Sequence, residues 1–175
     1  MVTATVAPGA LQGIRILDLT RVLAGPYSAQ ILADMGADVI KIEQPGRGDD
    51  ARGMGPYQNE ESIYFITNNR NKKGVTLNLK SPKGKEIFLD LVRNADVVME
   101  NYRPGTMEKL GLGYDVLKEI NPKIIYGSIS GFGHYGRYTK RPGYDIIAQA
   151  MSGLMSTTGW PTSGPTQGRG GPDTG

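Results

Sequence analysis

The sequence has no cysteine and a single histidine, His134, in its 175 residues. The first absence excludes disulfides and thiolate chemistry and fits a reducing compartment. The second argues against a transition-metal site, because one imidazole without thiols cannot make a ligand cluster. A serine nucleophile would need a histidine base, and no G-x-S-x-G elbow is present. His134, in GFGHYGRY, reads as a polar loop residue. No G-x-G-x-x-G opens a helix and no Walker A loop occurs, so the usual phosphate-binding fingerprints are missing. Gly111-Leu112-Gly113 reads as a turn between helical pieces.

Charge is nearly balanced: 20 Lys+Arg against 17 Asp+Glu leaves a net +3, spread along the chain. That is not the basic, aromatic-interleaved footprint of a nucleic-acid binder. The densest basic group, Arg70, Lys72 and Lys73, reads either as a solvated turn before a strand or as an anion site. No apolar run approaches a membrane span, and MVTATVAPGALQG lacks the basic start and apolar stretch of a secretory signal. A cytoplasmic protein without membrane or nucleic-acid partners is expected. With thiol, imidazole and metal chemistry set aside, a carboxylate remains for covalent catalysis.

What is present is ordinary soluble-protein composition, 38% hydrophobic and 21% charged, at a length that makes one domain with a sizeable core. Apolar runs at Ile14–Leu19, Val39–Ile42, Val75–Leu79, Asp96–Met99 and Ile124–Ile129 read as strands. Between them, Ala29, Ile31, Leu32 and Met35 suggest a helix after the punctuation of Gly25-Pro26, ending at Gly36. Ser81-Pro82 is a helix start, a capping hydroxyl followed by proline at the first position, with Ile87, Phe88, Leu91 and Val92 forming its apolar face. Ile146, Ile147, Ala150, Met151, Leu154 and Met155 predict one amphipathic helix, while Tyr64–Asn69 is ambiguous.

Strands alternating with helices imply βαβ units and a mostly parallel sheet flanked by helices. Ligands in such sheets sit beyond the carboxyl ends of the strands. The candidate loops are therefore Thr20–Pro26, Gln44–Glu60, Asn101–Gly105 and Ser130–Gly143. Residues 1–10 read as a flexible start and 11–158 as the domain. The closing GWPTSGPTQGRGGPDTG, 159–175, with its one carboxylate Asp173, reads either as a tail or as the edge of a site.

Five stretches taken together carry a resemblance: GIRILDLTRVLAGPYSAQILADMGADVIKIEQPGRGDD, NNRNKKGVTLNLKSPKGKEI, ADVVMENYRPGTMEKLGLGY, NPKIIYGSISGFG and RPGYDIIAQAMSGLMSTTG. In this order and spacing the chain closely resembles the class III CoA transferases, the family of formyl-CoA transferase and the carnitine- and bile-acid-related CoA transferases, from about Leu11 to Gly159. The resemblance implies a Rossmann-like α/β fold, the N-terminal part of the family's large domain. It also implies coenzyme A or an acyl-CoA as substrate, a small carboxylic acid as second substrate, no metal, and an interlocked homodimer in a full-length parent.

In that family an aspartate attacks the acyl-CoA thioester to give an acyl anhydride and CoA thiolate. The thiolate then attacks the aspartyl carbonyl, forming an aspartyl-CoA thioester and releasing the donor acid, and the acceptor acid reverses these steps. By position the resemblance implies Asp173 as that nucleophile, although the preceding glycine loop is shorter than in relatives and Pro172 stands before the aspartate. It implies Val22, Leu23 and Ala24 along the pantetheine path. Leu77, Asn78, Leu79, Lys80, Asn101, Tyr102, Arg103 and Lys109 would surround the adenine and phosphates, and Pro142, Gly143, Tyr144 and Asp145 would close the cleft. Gln44 stands where some relatives carry a phosphate-binding arginine, a role that Arg47 would take over.

Two other readings remain beside this one. A racemase branch of the same fold uses a G-H-D-I histidine as acid/base, and here Tyr144 occupies that place. A CoA- or nucleotide-binding domain without turnover is the other. Relatives are more than twice this length, so the 175 residues are expected to be an N-terminal half and inactive alone. Succinyl-CoA and short dicarboxylates are the substrates the resemblance favours.

Overall fold

A computed structural model describes residues 9–158, in two units that divide between Ile129 and Ser130. In the first unit the order is β1 (Arg15–Asp18), α1 (Ala24–Asp34), β2 (Asp38–Glu43), β3 (Tyr57–Gln58), β4 (Glu61–Ser62), α2 (Ile63–Thr67) and β5 (Lys72–Thr76). It continues through α3 (Pro82–Val92), β6 (Val97–Glu100), α4 (Thr106–Leu110), α5 (Tyr114–Ile120) and β7 (Ile125–Ser128). The sheet order is β5-β2-β1-β6-β7 and every pairing in it is parallel. This is the parallel sheet flanked by helices that the alternation of strands and helices implies, and the Rossmann-like α/β fold that the resemblance implies.

Buried on both faces, the central strands send alternate side chains to two cores. Ile16, Val39 and Met99 meet Ala29 and Ala33 of α1 on one face. Leu17, Ile42 and Val98 meet Phe88, Val92, Met107 and Leu117 from α3, α4 and α5 on the other. The small residues of α1 let it lie close to the sheet. Gly25 is part of that approach, since a Cβ there would fall 2.3 Å from the Thr20 Cβ.

Local chemistry explains where expectation and structure part. Gly25-Pro26 does not precede α1 but lies in its first turn, where an amide is free anyway and proline's missing N–H costs nothing. The α3 start is as expected: Ser81 Oγ accepts from the Gly84 N–H at 3.0 Å, with Pro82 as first residue. Ile87, however, is 40% exposed, and the buried face belongs to Phe88 and Val92. The strand expected at Val75–Leu79 runs instead over Lys72–Thr76, so Leu77–Lys80 form the turn into α3. The ambiguous segment after Ser62 is helical, α2.

In the second unit, the single helix expected over 146–155 is two, α6 (Asp145–Ser152) and α7 (Leu154–Thr157). Gly153 between them takes φ +80°, a left-handed conformation that ends a helix and that glycine adopts without strain. Before α6 the chain crosses itself tightly, a Cβ on Gly131 falling 2.4 Å from the Gly143 Cα. The glycines of GFGHYG lie on this loop rather than at a helix start.

Candidate functional site

In the sheet, the chain works outward from β1 through β2 to β5, then returns to the other side of β1 with β6. This reversal opens a crevice between the carboxyl ends of β1 and β6, the place where open α/β sheets bind ligands. The turn after β1 and the residues after β6 meet there. Asn101 accepts from the Arg21 N–H at 2.8 Å and donates to the Arg21 carbonyl at 2.7 Å. A cleft beside it is lined by Arg21, Ile42, Glu43, Gln44, Gly48, Asp49 and Tyr102.

Buried charge builds the floor of this region. Lys41, 2% exposed, donates to the Thr20 carbonyl and forms an ion pair with Asp49 Oδ2, both at 2.8 Å. The other Asp49 oxygen accepts from the N–H groups of Val22 (3.0 Å) and Ala51 (2.9 Å). Lys72 reaches across from the sheet edge to Asp18 Oδ2 and the Pro26 carbonyl, both at 2.8 Å, and to Asn69 Oδ1 at 2.9 Å. Asp18 in turn accepts from the Thr20 N–H at 2.9 Å. Glu43 accepts from the Asp49 N–H at 2.8 Å and pairs twice with Arg52, whose guanidinium lies 3.7 Å over the Phe65 ring. Held on all sides, Val22 takes φ +69°. That conformation is costly for a β-branched residue and persists only where surroundings impose it.

Several protonation states move as a result. Burial alone would raise Asp49, but the Lys41 ammonium and the backbone N–H donors outweigh it and hold its carboxyl below the usual range. Glu43 behaves alike, burial opposed by Arg52 and the Asp49 N–H, with a net lowering. Burial pushes Lys72 down against the pull of Asp18, and pushes the Tyr102 phenol up. For a carboxylate lowered in the folded state, the stability it contributes is present above its unfolded value and lost as pH falls through the folded one. The urea midpoint of the chain is therefore expected to be flat from about pH 7 to 5 and to fall steeply below about pH 4. A midpoint unchanged down to about pH 3 would contradict the Asp49 and Glu43 assignments.

The residues singled out from sequence fall into five sets. Val22, Leu23, Ala24, Gln44, Asn101 and Tyr102 come together at the crevice: Gln44 and Tyr102 line the cleft, while Leu23 and Ala24 open α1 beside Val22. Leu77 follows β5 at the same sheet end, its N–H donating to the Glu43 carbonyl at 2.8 Å, and Asn78 Oδ1 accepts from the Lys80 N–H at 3.0 Å. Leu79 is half-buried. Lys80, Arg103 and Lys109 are exposed and enter no ion pair among the described residues. Arg47 is also exposed, but pairs with Asp50 at 2.9 Å. Pro142, Gly143, Tyr144 and Asp145 belong to the second unit, where Asp145 opens α6 and Tyr144 is 71% exposed. Asp173 lies outside the described residues.

Of the basic group Arg70, Lys72 and Lys73, Arg70 lies in the exposed turn before β5, as one of the two readings had it, while Lys72 and Lys73 belong to the strand itself. Arg70 pairs with Asp34, Lys73 with Asp38, and Lys72 is buried on Asp18. The sequence reading missed Arg21, Lys41 and Asp49. A signal existed for Lys41: a cation inside the apolar run VIKI, in a strand covered on both faces, requires a buried partner. Among the described residues no group of three or more His, Asp or Glu is arranged to hold a metal, and no helix is long and apolar enough to cross a membrane.

Comparison with known proteins adds independent findings. The sequence profile of the family described as CoA-transferase family III matches residues 11–171. Succinyl-CoA:glutarate CoA-transferase of Mus musculus is 54% identical over 150 residues, covering 85% of this chain and 34% of that protein. Acetyl-CoA:oxalate CoA-transferase of Acetobacter aceti is 51% identical over 159 residues, 91% of this chain and 41% of the relative. The crystal structure of a CAIB/BAIF family protein from Brucella suis superposes with a TM-score of 0.86 at 44% identity, covering 91% of this chain and 43% of that one. The chain thus spans roughly two-fifths of the length of the relatives it matches.

Proposed function

The chain belongs to CoA-transferase family III, and from that premise we propose that it supplies the CoA-binding part of an enzyme that moves CoA from an acyl-CoA donor to a carboxylic acid. The observation that carries this reading is the crevice itself. The turn of Val22 and the Asn101-Tyr102 segment meet at the point where the strand order reverses, inside the stretch the family profile matches. In this reading Val22, Leu23 and Ala24 flank the pantetheine arm. Leu77, Asn78 and Leu79 lie toward the adenine, and Lys80, Arg103 and Lys109 offer uncommitted cations to phosphate. Arg47, engaged with Asp50, is the weakest member of this set. Pro142, Gly143, Tyr144 and Asp145, in the second unit, are proposed as further CoA-binding residues.

Asp173 is the proposed nucleophile. Its carboxylate attacks the thioester carbonyl, the C–S bond breaks, and CoA leaves as thiolate, with the acyl group held as an anhydride. The thiolate returns to the aspartyl carbonyl, expels the donor carboxylate and leaves an aspartyl-CoA thioester for the acceptor acid to reopen. Hydrogen-bond donors must stabilise the oxyanion at each attack. Relatives named for succinyl-CoA with glutarate and acetyl-CoA with oxalate support a short dicarboxylic acid as one substrate, with succinyl-CoA as the proposed donor. An interlocked homodimer of full-length chains in the cytoplasm is the proposed setting, and this chain alone is proposed to be inactive.

The test is CoA binding by calorimetry at several salt concentrations. Changing Lys80 and Arg103 together to alanine is expected to weaken binding roughly tenfold and to flatten its salt dependence, because exposed phosphate pairs are screened by salt. Affinity and salt slope both unchanged would show that the phosphates do not lie there.

A further inference from the structure

By resemblance Asn101 would be a residue that contacts CoA, yet its side chain is already engaged. Its Oδ1 takes the Arg21 N–H at 2.8 Å and its Nδ2 gives to the Arg21 carbonyl at 2.7 Å. This two-way clamp on one peptide residue is one of several. The Thr20 N–H goes to Asp18, the Thr20 carbonyl to Lys41 and the Val22 N–H to Asp49. Four of these five bonds come from side chains outside the 19–23 turn and its preceding strand. Lys41 and Asp49 are buried, so water does not compete for those bonds. What the clamps hold is the residue beside them, Val22 at φ +69°, a geometry valine does not choose. Strain of this kind survives only where neighbours over-determine the backbone.

We propose that Asn101 is a positioning residue rather than a ligand contact: through Arg21 it holds the 20–22 turn in the left-handed shape that presents Val22, Leu23 and Ala24 to the crevice. The ligand half of this statement rests on the CoA-binding reading above. The clamp itself does not.

The experiment is amide hydrogen exchange on the whole chain, paired with CoA titration. In Asn101→Ala, the Arg21 and Val22 amides are expected to exchange at least tenfold faster. Those of Phe88 and Val98, in the core on the far side, should keep their protection. CoA affinity is expected to fall roughly tenfold, the scale of two lost hydrogen bonds.

Asn101→Asp keeps the size of the side chain and the acceptor for the Arg21 N–H, but sets a carboxylate oxygen against the Arg21 carbonyl. It is expected to change protection and affinity in the same direction, and it serves if the alanine variant does not fold. Unchanged protection at Arg21 and Val22 in both variants overturns the clamp. Reduced affinity with unchanged protection makes Asn101 a contact residue and overturns it too. If the unmodified chain binds no CoA, the functional reading fails and takes the ligand half with it. The exchange result still decides the clamp.

Discussion

Asp173→Asn, in a protein carrying the remaining length of its relatives, is expected to abolish transfer of label between acyl-CoA and free acid while CoA still binds. Asparagine keeps the size and polarity of the side chain but cannot form an anhydride. The loss should be on the order of a thousandfold or more, since removing a covalent nucleophile leaves only binding and oxyanion stabilisation. Asp173→Glu should fail nearly as badly. One methylene moves the carboxylate by more than the tolerance of a near-attack geometry, and misplacement by about 1 Å costs roughly a hundredfold. Pro172 sharpens this expectation, because its fixed φ limits how the backbone can shift to re-aim a longer side chain. Mass spectrometry of the unmodified protein after incubation with acyl-CoA should find CoA attached to the peptide that contains Asp173. Normal exchange in the asparagine variant would return residues 159–175 to being a tail.

Lys72→Met should produce the largest loss of stability. Lys72 and Asp18 have side chains 1% and 0% exposed, 2.8 Å apart, so removing the cation strands a carboxylate in the core. Such a loss costs about 3–5 kcal/mol, a large part of the roughly 5–15 kcal/mol that holds a domain together. The neighbouring substitution is the control. Lys73 pairs with Asp38, but its side chain is 73% exposed, so Lys73→Met should cost no more than about 1 kcal/mol. Asp18→Asn combined with Lys72→Met removes both charges and should recover much of the stability. Urea unfolding followed by circular dichroism reads all three. Equal midpoints for the Lys72 and Lys73 variants would show that Lys72 is not a buried partner of Asp18.

These two lysines also show where sequence reading stops. The parallel sheet and the loops that carry the site were legible because both follow from local signals: apolar runs of strand length, Ser81-Pro82 as a helix start, and the rule that sites follow strands. Lys72 and Lys73 were not legible as a strand. Two adjacent cations resemble a solvated turn until Asp18 and Asp38, far away in sequence, come alongside. The strand was consequently expected three residues late, at Val75, where alternation begins. Gly153 broke an otherwise unbroken helical pattern for a reason that periodicity does not register, its positive φ. At the site, Gln44, Asn101 and Tyr102 were found by resemblance. The roles of Arg21, Lys41 and Asp49 exist only through contacts made across the sheet.

The reversal of strand order that opens the crevice also sets the order in which the protein can be built during synthesis. β1 pairs with β2 early, Arg15 beside Asp38, while Arg21 waits 80 residues for Asn101. Relative to a loop of about 20 residues, closing one of about 80 costs roughly 1.2 kcal/mol more in chain entropy, two doublings of length. Until residue 100 has left the ribosome, the strand destined for the middle of the sheet stands at its border, with one row of N–H and C=O groups unpaired beside Ile16 and Leu17. An apolar strand edge in that condition pairs readily with another chain. A nascent chain halted between residues 76 and 96 is therefore expected to associate through β1, and pairing with β6 passes the open edge to Val97–Glu100 until Ile125–Ser128 cover it.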